Sequence, residues 1–171
     1  MYVESEINRA IDEAYSVFGV VVDDEMNYLW TRGTRDLFKT LSIQPYTAEN
    51  RADSLAVSLE ILAAQEGMQL PDVKADLAKG KSPFEILDEA LGEGASVNLY
   101  NCSLQEVLYF INQGHPVMAV TGNREAVVIS GYETQNVLIY FPYTGETVTT
   151  DTAAAESYFR DYGNCFISYK R

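Results

Sequence analysis

The residues able to do covalent chemistry in this chain are few: two cysteines, Cys102 and Cys165, and a single histidine, His115. A cysteine hydrolase needs a thiolate, an imidazole to activate it and a third group to orient the imidazole. Cys102 lies just ahead of the run Ser103-Leu104-Gln105-Glu106, which reads as a helix start, and the helix dipole there would lower its pKa. His115 follows the far end of that helix, about 20 Å away at 1.5 Å per residue, so the two form no dyad. Distance does not separate Cys165 from His115, but both sit in or beside apolar strands, where a buried free cysteine is the usual reading. His115, between Gly114 and Pro116, reads as a corner residue making backbone hydrogen bonds.

Other chemistry is equally thin. No C-x-x-C or H-x-x-x-H spacing marks a zinc site. The run Asp23-Asp24-Glu25 lacks the alternating ligands and closing Glu of a calcium loop, and reads as a solvated turn. Gly92-Glu93-Gly94 is too acidic for a phosphate loop and opens no suitable helix. There is no G-x-S-x-G elbow, since Ser130-Gly131 falls inside a strand run. No metal and no cofactor is implied. Whether the two cysteines form a bridge is open at this level, because spacing alone does not set their Cα separation.

The chain that must position such groups has 171 residues, 47% of them hydrophobic. That is enough for one domain (1–171) burying roughly 70% of its unfolded surface. A net charge of −13 with a pI near 4.3 repels phosphates, which argues against a nucleic-acid groove and against anionic membranes. No apolar run approaches roughly 18 residues and no basic-then-apolar N-terminus occurs, so neither a membrane span nor a signal peptide is expected in the chain as given. Its location is therefore open, and extracytoplasmic if it is a module of a larger anchored protein.

Periodicity supplies the elements. Ile7, Ile11, Ala14, Tyr15 and Phe18 predict a helix from about Glu4 to Phe18. Short strands at Val20–Val22 and Tyr28–Trp30 follow, joined by a polar turn. Arg51 to Glu66 predicts a helix apolar on more than one face, hence buried, and closed by Gly67. A short helix falls between Pro71 and Gly80. Two capping boxes, Ser82-Pro83-Phe84-Glu85 and Ser103-Leu104-Gln105-Glu106, start further helices. The pattern then turns to β: Val117–Val120, Ala126–Ser130, Val137–Phe141 and Glu146–Thr150. A helix from Thr152 to about Tyr162 and a strand Cys165–Tyr169 complete an α+β order, helices first and an antiparallel sheet after.

Two motifs in that order resemble those of papain-like cysteine peptidases, most closely the bacteriocin-processing (double-glycine leader) peptidase-like branch. In that family an oxyanion glutamine precedes the nucleophilic cysteine by six residues, at the head of a helix reading C-G-x-x-S-L. Here Gln44 precedes Asn50 by six, and the helix reads Asn50-Arg51-Ala52-Asp53-Ser54-Leu55. The second motif, H-A-V-V-I-x-G-Y followed by a strand, D-P and a glycine, reads Glu125-Ala126-Val127-Val128-Ile129-Ser130-Gly131-Tyr132, then Val137 to Tyr140, Phe141-Pro142 and Gly145. Gly114-His115-Pro116-Val117 resembles the family's approach to its first core strand. The likeness runs from Gln44 to the C-terminus, leaving residues 1–41 as an added helix and hairpin before a core at 42–171.

The resemblance implies a papain-like fold with degenerate catalytic positions: Asn50 for the nucleophile, Glu125 for the base, Phe141 for the orienting group, with Gln44 alone retained. An amide is no nucleophile and a carboxylate holds no thiolate–imidazolium pair. Glu125 is expected to pair with Arg124 or Lys39 in the cleft, to act as an acid beside Asn50, or to have no role. The expected function is a pseudopeptidase that binds an unidentified peptide or protein, as a module of a larger bacterial surface or anchored protein. Gln44, Tyr46, Asn50, Glu125, Tyr132, Tyr140 and Tyr143 are its candidate binding residues. The twelve tyrosines fit a binding surface, and equally fit strands, where tyrosine is at home. An active hydrolase with relocated groups and a purely architectural module are the alternatives.

Overall fold

The computed structural model describes residues 19–22 and 28–32 by their backbone, and residues 38–170 in full. The helix expected at Glu4–Phe18 lies outside the described residues. Strands β1 (Gly19–Val22) and β2 (Tyr28–Arg32) pair antiparallel as a separate hairpin.

The main sheet has seven antiparallel strands in the order β4 (Ser96–Tyr100), β9 (Cys165–Tyr169), β5 (Val117–Gly122), β6 (Glu125–Tyr132), β7 (Asn136–Phe141) and β8 (Glu146–Asp151), with β3 (Lys39–Thr40) pairing β6. Each β5–β9 pairing on this path is antiparallel, including β4 against β9 across its full length. β3 meets β6 at Tyr132 and Gly131, just past the last residue that β5 reaches, Ile129. Leu41 extends that edge through its N–H to the Ser130 carbonyl (2.8 Å), so the sheet begins before residue 42.

Both faces of the sheet are covered. Alternate residues of β5 point opposite ways, as the pleat demands: Val117 and Ala119 join one apolar cluster, Met118 the other. The first cluster includes α4 (Leu104–Asn112) and α5 (Thr152–Asp161) through Val107, Phe110, Ile111 and Phe159. The second includes α1 (Ser54–Gln65) and α3 (Pro83–Leu91) through Leu59, Ile61, Leu62 and Leu87. The sheet is thus a central layer, and the α+β expectation gains a strand, β4, that precedes α4 rather than following all the helices. Between α1 and α3 the short α2 (Val73–Ala78) adds Val73 to the second cluster.

Helix ends follow their sequence signals. Both capping boxes form, Ser82 with Glu85 and Ser103 with Glu106. Gly67, at φ 71°, lets its own N–H and that of Met68 reach back to the Ala64 and Ala63 carbonyls at 3.0 and 3.1 Å, satisfying two orphan acceptors. The start of α1 differs from expectation. Arg51–Asp53 is a turn of 3-10 helix, and α1 proper opens at Ser54. Asn50 caps that short turn, one helical turn ahead of the α-helix.

Candidate functional site

The first residue of α1 is a buried serine wedged against the start of β6. Ser54 Oγ donates to the Arg51 carbonyl (2.6 Å) and accepts from the Ala126 N–H (3.0 Å). The Leu55 N–H donates to the Arg124 carbonyl (3.2 Å), so the β5–β6 turn is bonded to the helix head at two points. Arg124 takes a positive φ of 64° there, the conformation that points the turn back at the helix.

This junction forms the floor of a half-open pocket of about 110 Å³. Glu125 and Ala126 contribute from β6, Thr121 from β5, Phe141 from β7 and Tyr158 from α5, while Arg51, Tyr143 and Thr144 stand at its mouth. Five separate elements therefore converge on one small volume. Tyr158 is partly buried, and burial raises the pKa of its phenol. The Arg51 guanidinium lies 5.6 Å from the Tyr143 ring centroid and 3.8 Å from Glu125 Oε2, with 72% of its side chain exposed.

Of the residues singled out from sequence, Glu125, Phe141 and Tyr143 meet in this pocket. Asn50 does not line it, and its amide donates to Asp53 Oδ2 (2.7 Å). The helix-head position facing Glu125 is Ser54, one turn later. Gln44 and Tyr46 are exposed on the extended segment before the helix. Tyr132 and Tyr140 are core residues, 1% and 2% exposed, whose hydroxyls donate to Asn112 Oδ1 and to the Tyr46 carbonyl. They brace the fold and do not line a cleft. Glu125 pairs with Arg51, not with Arg124 or Lys39. Sequence reasoning passed over Ser54, Thr121 and Tyr158. Counting the apolar helix back from its Gly67 stop places Ser54 in its first turn; nothing local announces Thr121 or Tyr158.

The remaining chemistry-bearing groups lie elsewhere. His115 sits at the other end of α1, its ring 4.7 Å from that of Tyr169 and its Nδ1 3.7 Å from Glu66 Oε1. The 12 residues of α1 put it about 18 Å from Ser54 along the helix axis. Its backbone N–H donates to the Phe110 carbonyl, the corner role its neighbours predict, while burial lowers the ring's pKa against the opposing pull of Glu66. Both cysteines are free. The helix start does not activate Cys102: burial, with Glu106 nearby, pushes its thiol up to about 11. Among the described residues no cluster of His, Cys, Asp and Glu would hold a metal ion, and no helix is long and apolar enough to cross a membrane.

No protein-family model and no curated protein matches the sequence. A solved structure does: a C39-like peptidase from Bacillus anthracis, 18% identical, superposes with a TM-score of 0.66 over 80% of this chain and 98% of that one. At that identity the likeness is one of fold. The chain shares that structure's α+β, papain-like fold.

Proposed function

We propose that this chain is a non-catalytic papain-like domain that binds a peptide or protein segment at the pocket where α1, β6 and β7 meet. One observation carries the reading: the side chain at the head of the central helix is a serine whose hydroxyl is fully engaged with backbone. Its proton points at the Arg51 carbonyl and its lone pair takes the Ala126 N–H. A nucleophile must instead give its proton to a base. The neighbouring side chain that lines the pocket is Glu125, loosely paired with Arg51. The imidazole stands a helix length away. Phe141, across the pocket, has no polar atom with which to orient a base.

What remains is a shaped recess with an aromatic, partly exposed mouth, the kind of surface that holds a ligand side chain. The test pairs two measurements on the full chain. Incubation with a fluorogenic peptide library should give no turnover above blank, and a binding screen of the same library should enrich peptides whose retention falls in Tyr143→Ala. Turnover that Ser54→Ala abolishes would sink the non-catalytic reading. A screen without enrichment would sink the binding one.

A further inference from the structure

We infer that this pocket is a subsite for a cationic side chain, lysine or arginine, of a peptide ligand; the inference rests on the binding role proposed above. Its walls carry three aromatic rings, Phe141, Tyr143 and Tyr158, and one carboxylate, Glu125. Aromatic faces and a carboxylate attract an ammonium or guanidinium together. At about 110 Å³ the space falls below the 300–1,000 Å³ typical of whole small-molecule sites, and it suits the head of one side chain.

The molecule already shows the arrangement occupied in cis. Arg51 lies over the Tyr143 ring and against Glu125, the two features that would hold a ligand's cation. Its grip is loose: the contact to Glu125 is 3.8 Å, beyond hydrogen-bond reach, and the side chain is 72% exposed. Such a pair contributes little to stability and gives way readily. Outside the pocket, Tyr162 meets Tyr158 edge-on at 5.2 Å and is itself 46% exposed, extending the aromatic surface along the path of neighbouring ligand residues. The net charge of −13 draws cations toward the surface as a whole.

Apart from Arg51, already placed against Glu125, the pocket offers an anion no cationic donor. The start of a helix attracts anions through free N–H groups, but those at this junction are spent. Asp53 donates to the Asn50 carbonyl, Ser54 to Arg51, Leu55 to Arg124 and Ala126 to Ser54 Oγ.

The experiment measures fluorescence anisotropy of four labelled pentapeptides, Gly-Ser-X-Ser-Gly with X lysine, arginine, norleucine or glutamate, at fixed physiological salt. The proteins are the full chain, Glu125→Gln, Arg51→Ala and, as a charge control away from the pocket, Glu93→Gln. The lysine and arginine peptides should bind the native chain about tenfold more tightly than the norleucine one, and the glutamate peptide least. Glu125→Gln should remove most of that preference while Glu93→Gln keeps it. Arg51→Ala should tighten the cationic peptides by about twofold to fivefold, because the internal competitor is gone. Weaker cation binding in Arg51→Ala, or preference for the glutamate peptide, would overturn the inference and make Arg51 an anion receptor. Equal binding of all four, lost in Tyr143→Ala, would overturn the cation assignment and leave the binding role standing. Absence of binding by these peptides together with no enrichment in the library screen would remove both.

Discussion

Replacing Ser54 by alanine should cost stability, and replacing Ser58, one turn further along the same helix, should not. Both are serines in the buried helix α1, 4% and 0% exposed. Ser54 Oγ is the acceptor for the Ala126 N–H, and Ala126 is only 2% exposed, so water cannot easily replace it. An orphaned buried donor costs about 1–3 kcal/mol. The Arg51 carbonyl loses the hydroxyl but keeps the Ser54 N–H, so little is added on that side. Ser58 Oγ has no hydrogen-bond partner among the described residues, so its hydroxyl is a desolvated group without compensation there; Ser58→Ala should be neutral or stabilising by up to about 1 kcal/mol. For a chain of this size each kcal/mol moves Tm by about 2–4 °C. Urea unfolding followed by circular dichroism measures both variants, and amide exchange at Ala126 should rise in Ser54→Ala alone. Equal destabilisation of the two variants, or a neutral Ser54→Ala, would refute the view that Ser54 is held as a structural junction.

Three further outcomes are expected. A Cβ on Gly131 would lie 2.7 Å from the Lys39 carbonyl oxygen, so Gly131→Ala should destabilise by about 1–3 kcal/mol or release β3. Unchanged stability together with unchanged exchange protection at Leu41, whose N–H bonds Ser130, would contradict this. His115 has a folded pKa below its unfolded value because burial disfavours the charged ring. Its stabilising share is therefore complete above the unfolded value of about 6.5 and shrinks as pH falls toward the lower folded pKa. His115→Gln should flatten the stability profile in that window. Glu60, whose carboxyl burial pushes upward, works in the opposite sense and is common to both proteins, so the difference isolates the histidine; identical profiles would refute it. Cys102, with its thiol near 11, should react with iodoacetamide at pH 8 far more slowly than a free cysteine, read by mass spectrometry in a Cys165→Ser background; labelling at the free-thiol rate would overturn the burial argument.

The parts of the fold that were legible in sequence are those fixed by local physics. Gly67 and the two serine–glutamate boxes set helix ends through hydrogen bonds spanning three or four residues, so the pattern and the structure coincide. β5 to β8 were legible because β-rich runs alternate with turn residues. The sandwiching of the sheet was half visible: Ala126 to Tyr132 is buried without interruption, which is how a strand covered on both faces reads. β4 was missed although its burial alternates, because five residues between a glycine-rich turn and a capping box looked like connection. The helix head slipped by one turn for a related reason. Asn50 is a residue type suited to capping and stands in the N-cap position, but of a 3-10 turn and without a side-chain capping bond, and only the contact of Ser54 with Ala126, 72 positions away, distinguishes the two starts. Thr121 and Tyr158 were invisible because they reach the site by folding alone.

On the proposed pseudopeptidase reading, this junction would favour the opposite charge from a catalytic site. A cysteine peptidase must stabilise negative charge twice, on the thiolate and on the oxyanion of the tetrahedral intermediate, with donors aimed at where that charge develops. Here the Leu55 and Ala126 N–H groups at the helix head are taken by Arg124 and Ser54, and the side chains lining the space include one carboxylate and three aromatic rings beside Arg51 and two threonines. A merely eroded site would be expected to lose such groups piecemeal, leaving orphaned donors. Instead the Ala126 N–H has an acceptor in Ser54, and the Ser54 hydroxyl has one in the Arg51 carbonyl. A junction whose backbone groups are bonded in this way is stable as it stands, and its open face is the one the proposed ligand would contact.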